Sequence, residues 1–216
     1  MKGFCIYDGK HKKISFDSDS YSDFEMIFNK ILKDNSIATY VSFRRDNMAN
    51  LFANNNKGYK LTNSVNKYFL DYVPTFNSNE DIYVRELSAS DKKYFKEIIL
   101  SDGSKIDYFS EKFSEFLDEG TRYFGAFKDN KIISTVGLIM LTAFRSEIIG
   151  LQTYNMEDRR KGYASSICKL AIEEGLKETS VITWTAVENN VASNKTAKKL
   201  GMKKYNSHYY FELDSN

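Results

Sequence analysis

The chain has 216 residues, of which 42% are hydrophobic and 28% are charged, and its formal net charge at pH 7 is +2. This composition is typical of a folded globular protein and excludes a wholly disordered chain, while so small a net charge gives no support for a nucleic-acid partner. No apolar run approaches the roughly 20 residues that a membrane-spanning helix needs, so we expect no membrane partner.

Cysteine and histidine are both rare, with only Cys5, Cys168, His11 and His208 in the whole sequence. Two distant cysteines do not make a disulfide framework, and so few ligands predict no metal site. The N-terminal stretch MKGFCIYDGKHKK has no apolar h-region, so we expect no signal peptide. Together these features predict a reduced, cytoplasmic location.

Residues 1–78 are predicted to form an α/β segment of unknown role. FCIYD reads as a strand, YSDFEMIFNKILKD has apolar residues at helical spacing, and SIATYVSF is rich in strand-forming residues. NSVNKYFLDY favours a short helix or a turn. The segment ends in VPTFNSNEDI, residues 73–82, which holds the only proline and a cluster of turn-forming residues. We therefore predict a second domain over residues 79–216.

The elements of the second domain are clearer. They are predicted as a strand at 82–87, helices at 88–100 and 108–120, a hairpin at 122–141 that turns at Asp129-Asn130, a strand at 147–154, a helix to about Lys177, a strand at 180–187, a helix that ends at Gly201, and a strand at 208–213. The resulting order is β-α-α-β-β-β-α-β-α-β.

A small, basic turn lies between the strand at 147–154 and the helix that follows it. It reads Arg159-Arg160-Lys161-Gly162-Tyr163-Ala164 and leads into a helix with one apolar stripe. The unpaired N–H groups and the dipole at a helix N-terminus attract anions, and phosphate suits them best. The alternative is an ordinary solvated, charged helix start, and these residues alone leave both interpretations open.

Two motifs together resemble the GNAT superfamily of acyl-CoA N-acyltransferases. Arg159-x-x-Gly162-x-Ala164 is similar to the superfamily's R/Q-x-x-G-x-G/A signature. NNVASNKTAKKLGM, residues 189–202, resembles its second motif, with Met202 in place of the usual Phe. The resemblance covers residues 82–216. The sequence from the basic turn to the end of the second motif also looks similar to a bacterial subfamily that includes zwittermicin-resistance-type enzymes.

The resemblance implies a mixed α/β (α+β) fold with a mostly antiparallel sheet flanked by helices, and acetyl-CoA as cosubstrate. The pyrophosphate would lie on the basic turn and the pantetheine arm along the preceding strand, where it splays from the next one. The residues that the resemblance assigns to cofactor binding are Gln152, Thr153, Tyr154, Arg159, Arg160, Lys161, Gly162, Tyr163, Ala164, Asn190 and Ser193.

The implied reaction is direct attack of a primary amine, on a small or amino-acid-like acceptor, at the acetyl thioester. Glu147 is the first candidate for the general base and Glu188 the second, although each carboxylate could simply be solvated. The tyrosine that many members use as general acid is replaced by Ala197, and Tyr205 or Tyr209 could substitute for it.

The missing tyrosine keeps open a second class of function, a catalytically silent acyl-CoA-binding or interaction module. The chain is expected to act as a monomer or homodimer. Its first 78 residues would be either a degenerate half that packs on the catalytic domain or a lid over the acceptor.

Overall fold

The structure is a computed structural model that describes residues 4–8, 10, 12–17, 20–33, 40–75, 81–95, 98, 103 and 107–214, and for residues 4, 32 and 107–110 the backbone only. The strands of this part of the chain are β1 (Phe4–Asp8), β2 (Lys13–Asp17), β3 (Tyr40–Phe43), β4 (Tyr59–Leu70), β5 (Tyr83–Glu86), β6 (Arg122–Lys128), β7 (Lys131–Thr142), β8 (Arg145–Thr153), β9 (Val181–Val187) and β10 (Lys203–Leu213). The helices are α1 (Tyr21–Lys33), α2 (Asp46–Asn55), α3 (Lys92–Phe95), α4 (Asp107–Asp118), α5 (Tyr163–Glu178) and α6 (Val191–Lys199), with short 3-10 turns at Ala89–Asp91 and Met156–Asp158.

The chain divides into two compact units. The first comprises Met1–Lys67, Ala186–Val191 and Lys204–Asn216, and the second comprises Tyr68–Thr185 and Ala192–Lys203. The C-terminal strand β10 therefore belongs almost wholly to the same unit as the N-terminal residues.

In the first unit, β1 pairs antiparallel with β2, β2 pairs parallel with β3, and β3 pairs antiparallel with β10. Helices α1 and α2 both pack on one face of this sheet. The buried core between them and the sheet consists of Ile14, Phe16, Phe24, Phe28, Val41, Phe43, Met48, Ala49, Phe52 and Phe211. This core is rich in phenylalanine rings in edge-on contact, an arrangement that stabilises aromatic pairs.

In the second unit, β5, β6, β7 and β8 form an antiparallel series, and β9 pairs parallel with β8. Helix α5 joins β8 to β9 and packs on β6, β7 and β8, while α3 packs on α4 and β7. The β6–β7 hairpin turns at Asp129 and Asn130, whose φ angles are 49° and 59°. Two successive left-handed residues are what a two-residue type I′ hairpin requires.

The mixed α/β fold class and the element order from β5 to β10 are confirmed. The interpretation of residues 63–72 as a short helix or turn is wrong, because residues 63–70 belong to strand β4. The end of this strand alternates in burial, with Tyr68 and Leu70 almost fully buried, as expected for one face of a sheet. Residues 76–80 lie outside the described residues, and the domain boundary at residue 78 stays a prediction.

Candidate functional site

The turn before α5 ends at a glycine that begins the helix. Gly162 is the N-cap residue, with φ of 87° and no side-chain cap hydrogen bond. The left-handed φ is strained for any residue with a Cβ, and an added Cβ would meet no atom within 4 Å. The N-cap residue of this 16-residue helix provides no side-chain cap, and the helix dipole favours an anion at this end.

Three basic side chains surround this helix end. Arg159, Arg160 and Lys161 are all exposed, and Arg160 itself has a left-handed φ of 65°. The ammonium of Lys161 lies 3.7 Å from the carboxylate of Asp158. Because charged donors strengthen hydrogen bonds to phosphate oxygens, the turn can bind a phosphate through both its backbone and its side chains.

The helix is held in place by its buried stripe. Ile167, Cys168 and Ala171 have no exposed surface, which matches the apolar face expected from the sequence. Burial raises the pKa of the Cys168 thiol, so this cysteine stays protonated and is a poor nucleophile.

A wedge opens between β8 and β9 next to this turn. Their parallel ladder runs from Arg145–Val181 to Ile148–Trp184 and goes no further, although β8 itself continues to Thr153. The end of β8 is still paired with β7 on its other side. Between residues 149 and 153, the backbone groups on the β9 side of β8 are therefore not paired with β9.

A bulge in β8 coincides with the opening of the wedge. Gly150 has a φ of 58°, and the ladder with β7 shifts register between the Gly137–Ile149 and Thr135–Gln152 pairs. Two residues of β8 thus oppose one of β7, which bends the strand and leaves the extra residue unpaired. A glycine inside an apolar strand pattern is the sequence signal that could have predicted this bulge.

The three residues assigned to the pantetheine arm have different environments. The side chain of Gln152 is exposed, and its carbonyl accepts a hydrogen bond from Ser134 at 2.7 Å. The hydroxyl of Thr153 lies 3.1 Å from that of Ser134. The ring of Tyr154 is buried, and its hydroxyl forms a 2.7 Å hydrogen bond with Thr135. The Tyr154 side chain therefore belongs to the core, and burial raises the pKa of its phenol.

Glu147 lies at mid-strand in β8, opposite Ile139 of β7 and Thr183 of β9. Strand alternation puts it on the same face as Ile149, which packs near Tyr123 of the α3–α4 core. The side chain is half-buried, and within the described part of the chain its carboxylate forms no hydrogen bond or ion pair. This carboxylate is thus available to accept a proton.

Glu188 and Asn190 lie in the first unit, in the turn after β9. Both are exposed, and the carboxylate of Glu188 accepts a 2.5 Å hydrogen bond from Ser64, whose carbonyl also accepts from the Glu188 amide. The backbone N–H of Asn190 donates a hydrogen bond to the Val187 carbonyl. The sequence did not indicate the link to Ser64, which fixes the direction of the Glu188 side chain.

Position 197 of the second-motif helix α6 offers no acid to the site. Ala197, at the position where a tyrosine was considered, is fully buried. The hydroxyl of Ser193 accepts a 3.0 Å hydrogen bond from the indole N–H of Trp184. In the first unit, Tyr209 donates to the Asp46 carboxylate at 3.0 Å. The assignment of a general acid therefore stays open.

The first unit contains a second set of elements in the same order. The series β1-β2-α1-β3-α2-β4 repeats β7-β8-α5-β9-α6-β10, and β2 and β3 are parallel, as are β8 and β9. In the part of the repeat that the structure describes, the features of the candidate site are absent. Ser20 caps the start of α1 by accepting from the amide of Asp23, and the ladder from Lys13 to Phe16 covers nearly all of β2.

Comparison with known protein families identifies the family of this chain. The model of the Acetyltransferase (GNAT) family matches residues 80–202, more than half of the chain. The chain belongs to the GNAT acetyltransferase family. Members of this family use acetyl-CoA as cosubstrate, so membership indicates acetyltransferase activity in general. No curated protein matches the sequence.

Solved structures show the same fold at low sequence identity. A GNAT-family acetyltransferase from Colwellia psychrerythraea is 14% identical, with a TM-score of 0.69 over 99% of this chain and 82% of that one. A GCN5-related N-acetyltransferase from Kribbella flavida is 10% identical, with a TM-score of 0.63 over 100% and 91%. A tandem GNAT protein from the clavulanic acid biosynthesis pathway is 10% identical, with a TM-score of 0.56 over 95% and 76%.

The described residues show neither a metal-binding cluster nor a helix that could span a membrane. They contain no group of three or more His, Cys, Asp or Glu side chains arranged to hold a metal ion. Nor does any helix among them have the length and apolar character needed to cross a membrane.

Proposed function

We propose that the chain is an N-acetyltransferase that transfers the acetyl group of acetyl-CoA to the primary amine of a small-molecule or amino-acid-like acceptor. The observation that carries the proposal is the wedge between β8 and β9 beside the uncapped, basic start of α5. Membership of the GNAT family supports acyl transfer in general, and the acceptor class is our addition to it.

The residues around the wedge fit the parts of coenzyme A. The amides that follow Gly162, with Arg159 and Arg160 beside them, suit the pyrophosphate. The unpaired edge of β8 up to Thr153 suits the amide groups of the pantetheine arm. When bound, acetyl-CoA supplies the thioester from which the acetyl group is transferred. We also propose that Asn190 and Ser193 contact the cofactor arm, although Ser193 already accepts from Trp184.

Glu147 is the residue that we propose as general base. An ammonium group cannot act as a nucleophile, so the acceptor must lose a proton before or during attack. The Glu147 carboxylate is half-buried and makes no hydrogen bond or ion pair with the described residues, so it can take that proton directly or through a water molecule. Glu188 is the second candidate, but its carboxylate is already engaged by Ser64.

One observation favours a second function, that of an acyl-CoA-binding module without turnover. Ala197 is fully buried where a tyrosine acid was considered, so this position supplies no proton to a leaving thiolate. This module would bind acetyl-CoA as tightly as an enzyme but release no CoA.

An assay of CoA release against a broad panel of primary amines separates the two functions. The panel should include amino acids, polyamines and amine-bearing antibiotics, because the likeness to zwittermicin-resistance-type enzymes is still a prediction. If the chain is an enzyme, we expect release of CoA that depends on the amine. The Glu147→Gln variant should strongly reduce this release. Normal acetyl-CoA binding with no release for any amine would favour the silent module.

A further inference from the structure

A cavity of about 540 Å³ opens in the second unit, where the start of β5 meets the end of β6 and the turn of the β6–β7 hairpin. Its volume lies within the range of small-molecule sites. All of its lining residues belong to the second unit, and none of them belongs to the candidate coenzyme A site. The cavity is therefore a separate candidate for a binding site.

Three aromatic side chains line this cavity. Tyr83 of β5 lies opposite Phe127 of β6, and it is unusually exposed for so large a ring, at 64%. Tyr94 of α3 meets Phe127 edge-on, with the ring centroids 5.3 Å apart and an interplanar angle of 74°. Aromatic walls of this kind favour a ligand that carries a ring of its own.

Arg85 lines the same cavity and is held in one orientation. Its guanidinium carbon lies 4.6 Å from the centre of the Phe127 ring. Nη1 and Nη2 donate to the two carboxylate oxygens of Asp91 at 2.7 and 2.6 Å, and Nη1 also donates to the Glu86 carbonyl at 3.0 Å. Stacking and bidentate pairing together fix the guanidinium plane before any ligand arrives.

Two donors of Arg85 are left over by these contacts. A guanidinium has five N–H bonds, and three of them are engaged by Asp91 and Glu86. The N–H of Nε and the second N–H of Nη2 have no acceptor in the part of the chain that the structure describes. These two bonds are parallel, and their spacing matches the two oxygens of a carboxylate. Arg85 can thus hold one further carboxylate in a bidentate manner.

The other charges of the cavity favour a ligand with both signs. Arg85 and Asp91 neutralise each other, so a second carboxylate needs another cation. Lys128 lines the cavity and forms no ion pair with the described residues, and the same is true of the carboxylate of Asp129 in the hairpin turn. Asp81 also lines the cavity, but it already has a partner. An ammonium and a carboxylate on one ligand would compensate both Asp129 and Lys128.

We propose that this cavity binds an aromatic amino acid. The carboxylate of the ligand lies on the Nε–Nη2 edge of Arg85, with Lys128 as its second cation, and the ammonium is held by Asp129. The ring of the ligand packs against Tyr83 and Tyr94. This site does not depend on the function that we propose for the α5 turn.

The test is a titration of the full-length chain with L-phenylalanine, followed by amide NMR. Saturable shifts are expected at Asp129 and Asn130, which line the cavity. Three analogues each lack one group: phenethylamine lacks the carboxylate, hydrocinnamate lacks the ammonium, and glycine lacks the ring. Each should bind about tenfold more weakly than phenylalanine, or worse, because one set of contacts is lost.

Variants connect the binding to individual side chains. Arg85→Lys keeps the charge but removes the paired donors, so it should weaken phenylalanine about tenfold and leave phenethylamine unchanged. Asp129→Asn suits the left-handed φ of 49° and should weaken phenylalanine and phenethylamine but not hydrocinnamate. The exposed Asp118→Asn is the matched control. Glu147→Gln should leave phenylalanine binding unchanged, which separates this cavity from the proposed acceptor site.

The proposal is overturned if phenylalanine does not bind, or if hydrocinnamate or phenethylamine binds as tightly as phenylalanine does. It is also overturned if Asp129→Asn binds all of these ligands as wild type does. Should Arg85→Lys fail to fold because Asp91 is buried, Asp129→Asn still decides the question, since its turn is exposed.

Discussion

Ile148 and Trp184 form the last pair of the parallel ladder between β8 and β9. Both side chains are almost fully buried, and the indole N–H of Trp184 donates to Ser193 in α6. Beyond this pair, β8 continues along the open edge and leads to the turn before α5. The point at which the wedge opens is therefore fixed by well-packed side chains, so the edge of β8 is positioned before any ligand arrives.

Gly162→Glu should abolish acetyl-CoA binding. The new carboxylate would lie over the helix amides and repel a phosphate, in addition to straining the backbone at φ 87°. Gly120→Glu is a matched control, because Gly120 also has φ 87° and open space around its Cβ position but follows α4. Calorimetry should give no binding for the first variant and normal binding for the second. Equal losses in both would show that backbone strain, rather than the anion site, is responsible.

Glu147→Gln should lower kcat for the best acceptor amine by about 10²- to 10⁴-fold, the usual contribution of a general base. The dissociation constant for acetyl-CoA should change little, because the carboxylate lies at mid-strand and not at the α5 turn. Steady-state kinetics and calorimetry measure the two quantities, with the exposed Glu119→Gln as control. Full turnover by Glu147→Gln would exclude this residue as the base while leaving the enzyme itself in place.

Tyr154→Phe should destabilise the fold without weakening the binding of acetyl-CoA. The phenol hydroxyl is buried against Thr135, and its removal leaves the Thr135 hydroxyl without this partner, at a cost of roughly 1–3 kcal/mol. Urea unfolding measures the loss, and calorimetry should show an acetyl-CoA affinity within about twofold of wild type. A large loss of affinity at unchanged stability would mean that the Tyr154 side chain contacts the cofactor directly.

The free energy of unfolding should fall as the pH is lowered from about 6.5 towards 4, in part because of His208. Its pKa is about 4 in the folded chain and near 6.5 when unfolded. Between these values the unfolded chain holds the proton and the folded chain does not, so stability rises with pH across this window and levels off above it. Urea titrations at several pH values should give a shallower slope for His208→Gln than for wild type. An identical slope would show that His208 is not responsible.

Local patterns predicted much of the second domain. The periodic stripe of α5, the Asp129-Asn130 turn and the basic turn at Arg159 all depend on neighbours within a few residues, and each carries its own turn or helix chemistry. Strand β4 was missed because its first half is exposed and polar, so that alternation is visible only near Tyr68 and Leu70.

Long-range pairing could not be predicted from the sequence. Phe211 lies opposite Val41 in the antiparallel pairing of β10 with β3, although 169 residues separate them in the chain. The repeat of element order in the first unit was open at the sequence level, as one of two alternatives for residues 1–78, because its turn chemistry differs from that of the second set. In the candidate site, the end of the β8–β9 ladder and the contact of Tyr154 with Thr135 depend on register and packing, for which a single sequence carries no local signal.

The most direct test of the central claim is a calorimetric titration of the full-length chain with acetyl-CoA. The basic turn and the wedge, neither of which recurs among the described residues of the first unit, predict saturable binding with one molecule per chain, lost in Gly162→Glu and kept in Gly120→Glu. No binding at millimolar acetyl-CoA would contradict the assignment of the α5 turn as a coenzyme A site.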